Sequence, residues 1–185
     1  MWLELHRPLL NKEAAVTAAK VRTGNEVGAV ARKIYDPGSN GALIDVRTEG
    51  YHKALARSQA LLATSMPIFE ACFSAAGGLA FADIMLPVSR GGKLLWRMVE
   101  VKSSTSLKGD HLDDAAIQAF VSREAGVPLT SVSIAHVDSS WVYAGDGKYN
   151  GLLVEQDVTD EAFKRGAEVK TWLRDAHEVA AQSRE

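Results

Sequence analysis

Cysteine is almost absent from this sequence. Cys72 is the single one in 185 residues, so no internal disulfide is possible, and one thiol cannot by itself hold a zinc ion or an iron–sulfur cluster. Long apolar runs are missing too: none approaches the ~20 residues that span a bilayer. The opening Met1-Trp2-Leu3-Glu4-Leu5-His6 has no basic and then apolar leader region, and the expected location is the cytoplasm. An excess of positive charge is also lacking, since the formal net charge is −2. That excludes a protein coated in positive charge but leaves room for a local basic groove, because phosphates need cations only where they lie. Internal repeats and low-complexity segments are absent, and linker signals are too weak to divide the chain.

What is present is an ordinary globular composition, 46% hydrophobic and 24% charged, with length enough for one core. A single domain over residues 1–185 is expected. Lys12 to Tyr35 reads as a helix from its apolar spacing, closed by the turn chemistry of Asp36 to Gly41. Ala42 to Val46 reads as an edge strand. Thr48 to Ala63 reads as a second helix, with Tyr51, Leu55, Ser58 and Leu62 along one stripe. Pro67 to Phe73, Leu79 to Leu86 and Leu94 to Lys102 have strand composition, and Pro87 to Lys93 reads as a hairpin connection between the last two. Asp110 to Ala125 reads as a helix with Asp110 as its cap and Asp113 completing a capping box; Gly126 and Pro128 end it. Ser131 to Val137, Ser140 to Ala144 and Leu152 to Asp157 read as further strands. A final helix starts at Thr159 and runs to about Ala181. This order predicts an α/β (α+β) fold, a mixed central sheet flanked by helices.

The chemistry concentrates in Val99-Glu100-Val101-Lys102-Ser103-Ser104. Strand side chains alternate, so Glu100 and Lys102 share one face and the two valines the other. Asp83 interrupts the preceding apolar run, and in a hairpin it can lie near Glu100. Two carboxylates brought together need a proton or a cation between them, and magnesium is the natural hard-oxygen partner. A solvated sheet face with cross-strand ion pairs presents the same residue types. Glu70 is a third carboxylate in an apolar strand; it either serves a second metal or pairs with Arg97 or Lys102. His111, Asp114 and Gln118 are spaced to share a helix face. Arg90, Lys93, Arg97, Lys108 and Arg123 flank the region as candidate phosphate contacts, with Lys108, Arg97 and Arg123 taken as nucleic-acid-binding residues. His136 reads as a strand histidine, and Trp96, Trp141 and Trp172 as packing residues.

The ordered set of Ala82-Asp83-Ile84, a hairpin, and Val99 to Thr105 resembles the signature of the PD-(D/E)XK nuclease superfamily. Ile68 to Phe73 before it and His111 to Phe120 after it resemble the RecB-like branch related to the CRISPR-associated exonucleases. The resemblance covers residues 20 to 140. It implies a restriction-endonuclease-like core and a Mg²⁺- or Mn²⁺-dependent deoxyribonuclease, expected to act on single-stranded DNA or DNA ends. By the resemblance Asp83 and Glu100 are metal ligands, with the Val101 carbonyl as a third and Glu70 as a further carboxylate. Lys102 orients or activates the attacking water and stabilises transition-state charge, and Gln118 matches the glutamine of a helix that packs over the site. The branch commonly places a metal-binding His in its first helix, in a G-x-x-V-H pattern. Here Gly24-Asn25-Glu26-Val27-Gly28 puts Gly28 at that position, with Glu26 the nearby carboxylate expected to substitute for the His as a metal ligand. Where a Tyr often follows four residues after the Gln, this chain has Ser122. The opening Trp2 to Pro8 is similar to the segment following the first iron–sulfur cysteine of many relatives, but the four cysteines are absent and no cluster is expected. The alternative is a module that keeps the nuclease fold and binds nucleic acid without cleaving it.

Overall fold

The computed structural model describes residues 14–182, with side chains from residue 21 onward; the opening segment Trp2 to Pro8 lies outside them. Among the described residues the chain forms helix α1 (Ala14–Tyr35), strand β1 (Ala42–Leu43), helices α2 (Val46–Glu49) and α3 (Tyr51–Leu61), strands β2 (Ile68–Ala75), β3 (Gly78–Arg90) and β4 (Lys93–Lys102), helix α4 (Gly109–Glu124), strands β5 (Leu129–Val137) and β6 (Leu153–Asp157), and helices α5 (Thr159–Lys164) and α6 (Gly166–Ala181). The six strands make one mixed sheet in sequential order. β1 runs parallel to β2, β4 parallel to β5, and the other pairs are antiparallel. The expected α/β class with flanking helices is the observed one.

Strand alternation sorts the core into two layers. Ile68, Met85, Met98 and Ile134 pack with Ala115 and Ala119 of α4. Phe69, Ile84, Val99 and Ala135 pack beneath Ala31 and Tyr35 of α1. Trp96 is fully buried and donates from Nε1 to the Leu62 carbonyl at 3.3 Å. Among the described residues no helix is long and apolar enough to cross a membrane.

Several local expectations need correction. β3 and β4 run on to Arg90 and Lys93, leaving a two-residue turn at Gly91 and Gly92, both with positive φ (58° and 73°). Such a turn matches the twist of paired strands and requires φ > 0 at both positions, so the pairing absorbs Pro87 to Ser89. The predicted Thr48 to Ala63 helix is broken at Gly50 (φ 77°, ψ 154°), a backbone region essentially confined to glycine. Ser140 to Ala144 is no strand; it belongs to a loop where Trp141, Tyr143 and Tyr149 stack on one another. α4 begins one residue before Asp110, with Lys108 as its cap, and His111 Nδ1 accepts from the Lys108 N–H at 3.2 Å. The final helix divides at Arg165, whose guanidinium binds Asp113 and Glu168 and lies over the Trp172 ring.

Candidate metal centre

The site is built where two strand ladders lapse at the same level. Phe69↔Ile84 and Ala71↔Ala82 are paired, but Glu70 and Asp83 between them are not. Glu70 has φ 56°, a left-handed conformation that a non-glycine residue adopts at a cost of about 1–3 kcal/mol. The β3–β4 ladder stops at Ile84↔Val99, so the next opposed pair is Asp83 and Glu100. Ile84 and Val99 face α1, so by alternation Glu100 turns to the α4 side; Ala82 packs in the α4 layer although Ile84 packs in the α1 layer, so the facing of β3 inverts at Asp83.

At this level Asp83 takes the place of the missing ladder acceptor. Its Oδ2 accepts from the Val101 N–H at 2.7 Å. A strand residue turns its N–H and C=O to the same neighbour, so the Val101 carbonyl faces the Asp83 edge as well. Glu100 is 5% exposed and fully engaged: Lys102 Nζ lies 3.1 Å from its Oε1, and Gln118 Nε2 donates to its Oε2 at 2.6 Å. Lys102 also donates to Asp114 at 2.7 Å. One face of α4 therefore supplies both Asp114 and Gln118 to the strand charges, as the i, i+4 spacing requires. Gln118 Oε1 is buried with no hydrogen-bond partner among the described residues.

Electrostatics follow from this crowding. Burial, then the neighbouring Glu100 charge, pushes the Asp83 carboxyl well above the usual carboxylate range, against the pull of the Val101 N–H. Burial raises Glu100 too, opposed by Lys102 and Gln118. For Lys102, burial favours loss of the proton, but Glu100 and Asp114 outweigh it and hold the ammonium above its ordinary value. Two desolvated carboxylates side by side favour uptake of a positive charge.

The donor set fits a hard divalent ion: two carboxylates, a carbonyl on the same edge, and an unsatisfied amide oxygen nearby suited to a bound water. Among the described residues no group of three or more His, Cys, Asp or Glu is placed to hold one ion. Glu70 lines the same cleft, and its charge adds to the upward push on Asp83. Its carboxylate, raised by burial, lies 3.6 Å from Arg32 of α1, not against Arg97 or Lys102.

The other candidates fall outside this cluster. Glu26 pairs with Arg22 at 3.9 Å in solvent. The α1 residues lining the cleft are Gly24, Asn25, Gly28 and Arg32, and at 3.6 residues per turn Glu26 points about 145° away from them. Arg97 lies on the α1 face, opposite Glu100, where it ion-pairs with Glu155, which also accepts from Tyr35 at 2.7 Å. Arg123 sits over the Phe163 ring near the far end of α4, about 13 Å along the helix from Asp114. Lys108 is exposed at the start of α4. His136 is buried in β5 beside Lys102.

Residues that sequence reasoning passed over complete the cleft, a space of about 710 Å³ whose walls include Arg32, Arg47, Tyr51 and Phe81. Arg32 had a legible signal, because Gly24, Gly28 and Arg32 recur at four-residue intervals on one helical face. Tyr51 had none, since its periodicity matches a buried stripe.

No family model matches the chain and no curated protein matches it. A solved structure titled "Crystal structure of SSO0001" is similar at 17% identity and a TM-score of 0.31, over 84% of this chain and 71% of that chain; a likeness this slight transfers neither fold nor activity.

Proposed function

We propose that the protein is a metal-dependent nuclease that hydrolyses DNA phosphodiester bonds, acting on single strands or ends, with Asp83, Glu100 and the Val101 carbonyl holding Mg²⁺ or Mn²⁺. The observation that carries this reading is the opposition of Asp83 and Glu100 at a lapse in the ladder, with the Lys102 ammonium 3.1 Å from Glu100. A solvated sheet face does not explain it, because the carboxylates are desolvated and Asp83 replaces a backbone acceptor.

When bound, the ion supplies charge on the scissile phosphate and acidifies a water. The chain's own residues do the rest. Val101 fixes Asp83 through its N–H, and Gln118 fixes Glu100, so both carboxylates are oriented before substrate arrives. Lys102, held by Glu100 and Asp114, is placed to orient or activate the attacking water and to stabilise charge growing on the phosphate oxygens. Asp114 holds the ammonium from the α4 side.

The direct test is cleavage of linear and circular, single- and double-stranded DNA by purified protein with Mg²⁺, Mn²⁺ or chelator. Lys102→Ala and Asp83→Ala are expected to lose cleavage by at least about 100-fold, the scale of losing one transition-state contact, with the fold intact by circular dichroism. Unchanged cleavage by folded Asp83→Ala overturns the assignment. A second reading, a non-cleaving nucleic-acid-binding module, is favoured by Gly28 standing on the cleft wall where the resemblance expects a His ligand. It predicts salt-sensitive binding with no metal-stimulated cleavage.

A further inference from the structure

The cleft wall above the carboxylates carries an aromatic pair that the hydrolytic centre does not use. Tyr51 and Phe81 both line the cleft, with ring centroids 6.3 Å apart and planes tilted by 52°. Tyr51 is 56% exposed, although its spacing with Leu55 and Ser58 matches a core stripe. The helix buries Ala54 together with Ser58, leaving Tyr51 at the edge of that face, and Ser58 Oγ accepts from the Cys72 N–H at 2.9 Å, which fixes the rotation of α3 on the sheet. Gly50 starts that helix in its glycine-only conformation, setting Tyr51 at the first helical position beside the cleft.

Charge identifies what such a ring faces. The cleft floor holds Glu70, Asp83 and Glu100, which together repel a phosphodiester. Countercharge comes from Arg32 on α1, which pairs with Glu70, and from Arg47 on α2, four residues before Tyr51, beside which Asp45 adds a fourth carboxylate to the lining. An aromatic face beside a guanidinium, over a cation-seeking floor, is complementary to one nucleotide, with its base on the ring and its phosphate between cations. The cleft volume lies in the range of pockets that enclose a ligand of that size. A base stacked within a duplex has both faces covered, so only an unstacked base can use Tyr51.

Resting on the nuclease reading above, we propose that Tyr51, backed by Phe81, is a stacking subsite for an unpaired nucleobase next to the scissile phosphate, with Arg47 taking the adjoining phosphate. The substrate class is then a single strand or a frayed end, and the subsite is indifferent to base identity because every base offers a π-face.

The experiment compares wild type, Tyr51→Ala and Tyr51→Phe. It measures binding of a labelled single-stranded oligonucleotide by fluorescence anisotropy in chelator, and Mn²⁺-dependent cleavage of the same strand. Tyr51→Ala is expected to weaken binding and raise KM by roughly 5- to 100-fold, with kcat near wild type, while Tyr51→Phe stays within about twofold. Placing an abasic nucleotide at successive positions locates the stacked base: at one position wild type drops to the Tyr51→Ala level and the variant loses nothing more. Equal affinities for wild type and Tyr51→Ala, or an abasic scan without such a position, overturn the subsite. Failure of the nuclease reading looks different. Wild type then shows the Tyr51-dependent binding but cleaves nothing with either metal.

Discussion

Asp83 and Glu100 are costly to ionise side by side. Each is desolvated, and each raises the cost of ionising the other. A carboxyl whose folded pKa is raised contributes stability that is fully present below its unfolded pKa and is lost as pH rises through the folded value. Metal-free protein is therefore expected to lose stability as pH rises from the acidic range toward neutrality. Asp83→Asn keeps an oxygen for the Val101 N–H but removes the charge. Thermal melts in chelator should show it more stable than wild type at neutral pH, with the gap closing toward acid pH. A variant less stable than wild type at every pH would mean that Asp83 is a structural ion-pair partner. The residue-scale signal was legible in the alternation of Glu100 and Lys102 and in Asp83 interrupting an apolar strand. The pairing of Glu70 with Arg32 was not, because it joins a strand to a helix distant in sequence.

At the scale of elements, the site depends on irregularities more than on regular structure. The sheet loses both ladders at Glu70 and Asp83, and the α2–α3 segment is broken at Gly50. Most strands and helices follow from periodicity, which reports the face a residue serves. Breaks follow from backbone conformations that periodicity does not encode. Thus Thr48 to Ala63 has the apolar spacing of one helix, and Ser140 to Ala144 the composition of a strand; the first is split by a glycine in an extended, positive-φ conformation, and the second is drawn into packing of Trp141 on Tyr143 and Tyr149. The two-residue Gly91-Gly92 turn lay inside a longer turn-rich stretch and surfaced only once strand pairing set the register. Gly50→Ala tests the structural weight of one such break. Its φ of 77° and ψ of 154° predict a loss of about 1–3 kcal/mol, read as a fall in melting temperature of roughly 2–12 °C. No change would show that α3 reorients without strain.

Across the whole molecule, a formal charge of −2 conceals the gathering of Asp45, Glu70, Asp83 and Glu100 with Arg32 and Arg47 around one cleft, a pattern that composition cannot report and only the topology assembles. The fold class was readable from the order of elements; the cleft was not, because its lining comes from α1, the β1–α3 region and the middle of the sheet. On the proposed reading, cation binding at this cleft and stability are one linked quantity: a ligand at 100 times its Kd stabilises the folded state by about 2.7 kcal/mol, roughly 5–11 °C in a chain of this length.

Calorimetric titration of Mn²⁺ into purified wild type and Asp83→Asn, with melts at the end points, tests the central claim most directly. Wild type is expected to bind Mn²⁺ and gain several degrees, while Asp83→Asn binds none at that site and gains nothing. Equal Mn²⁺ binding by the two proteins, or none by wild type, would contradict a divalent-cation centre at Asp83 and Glu100.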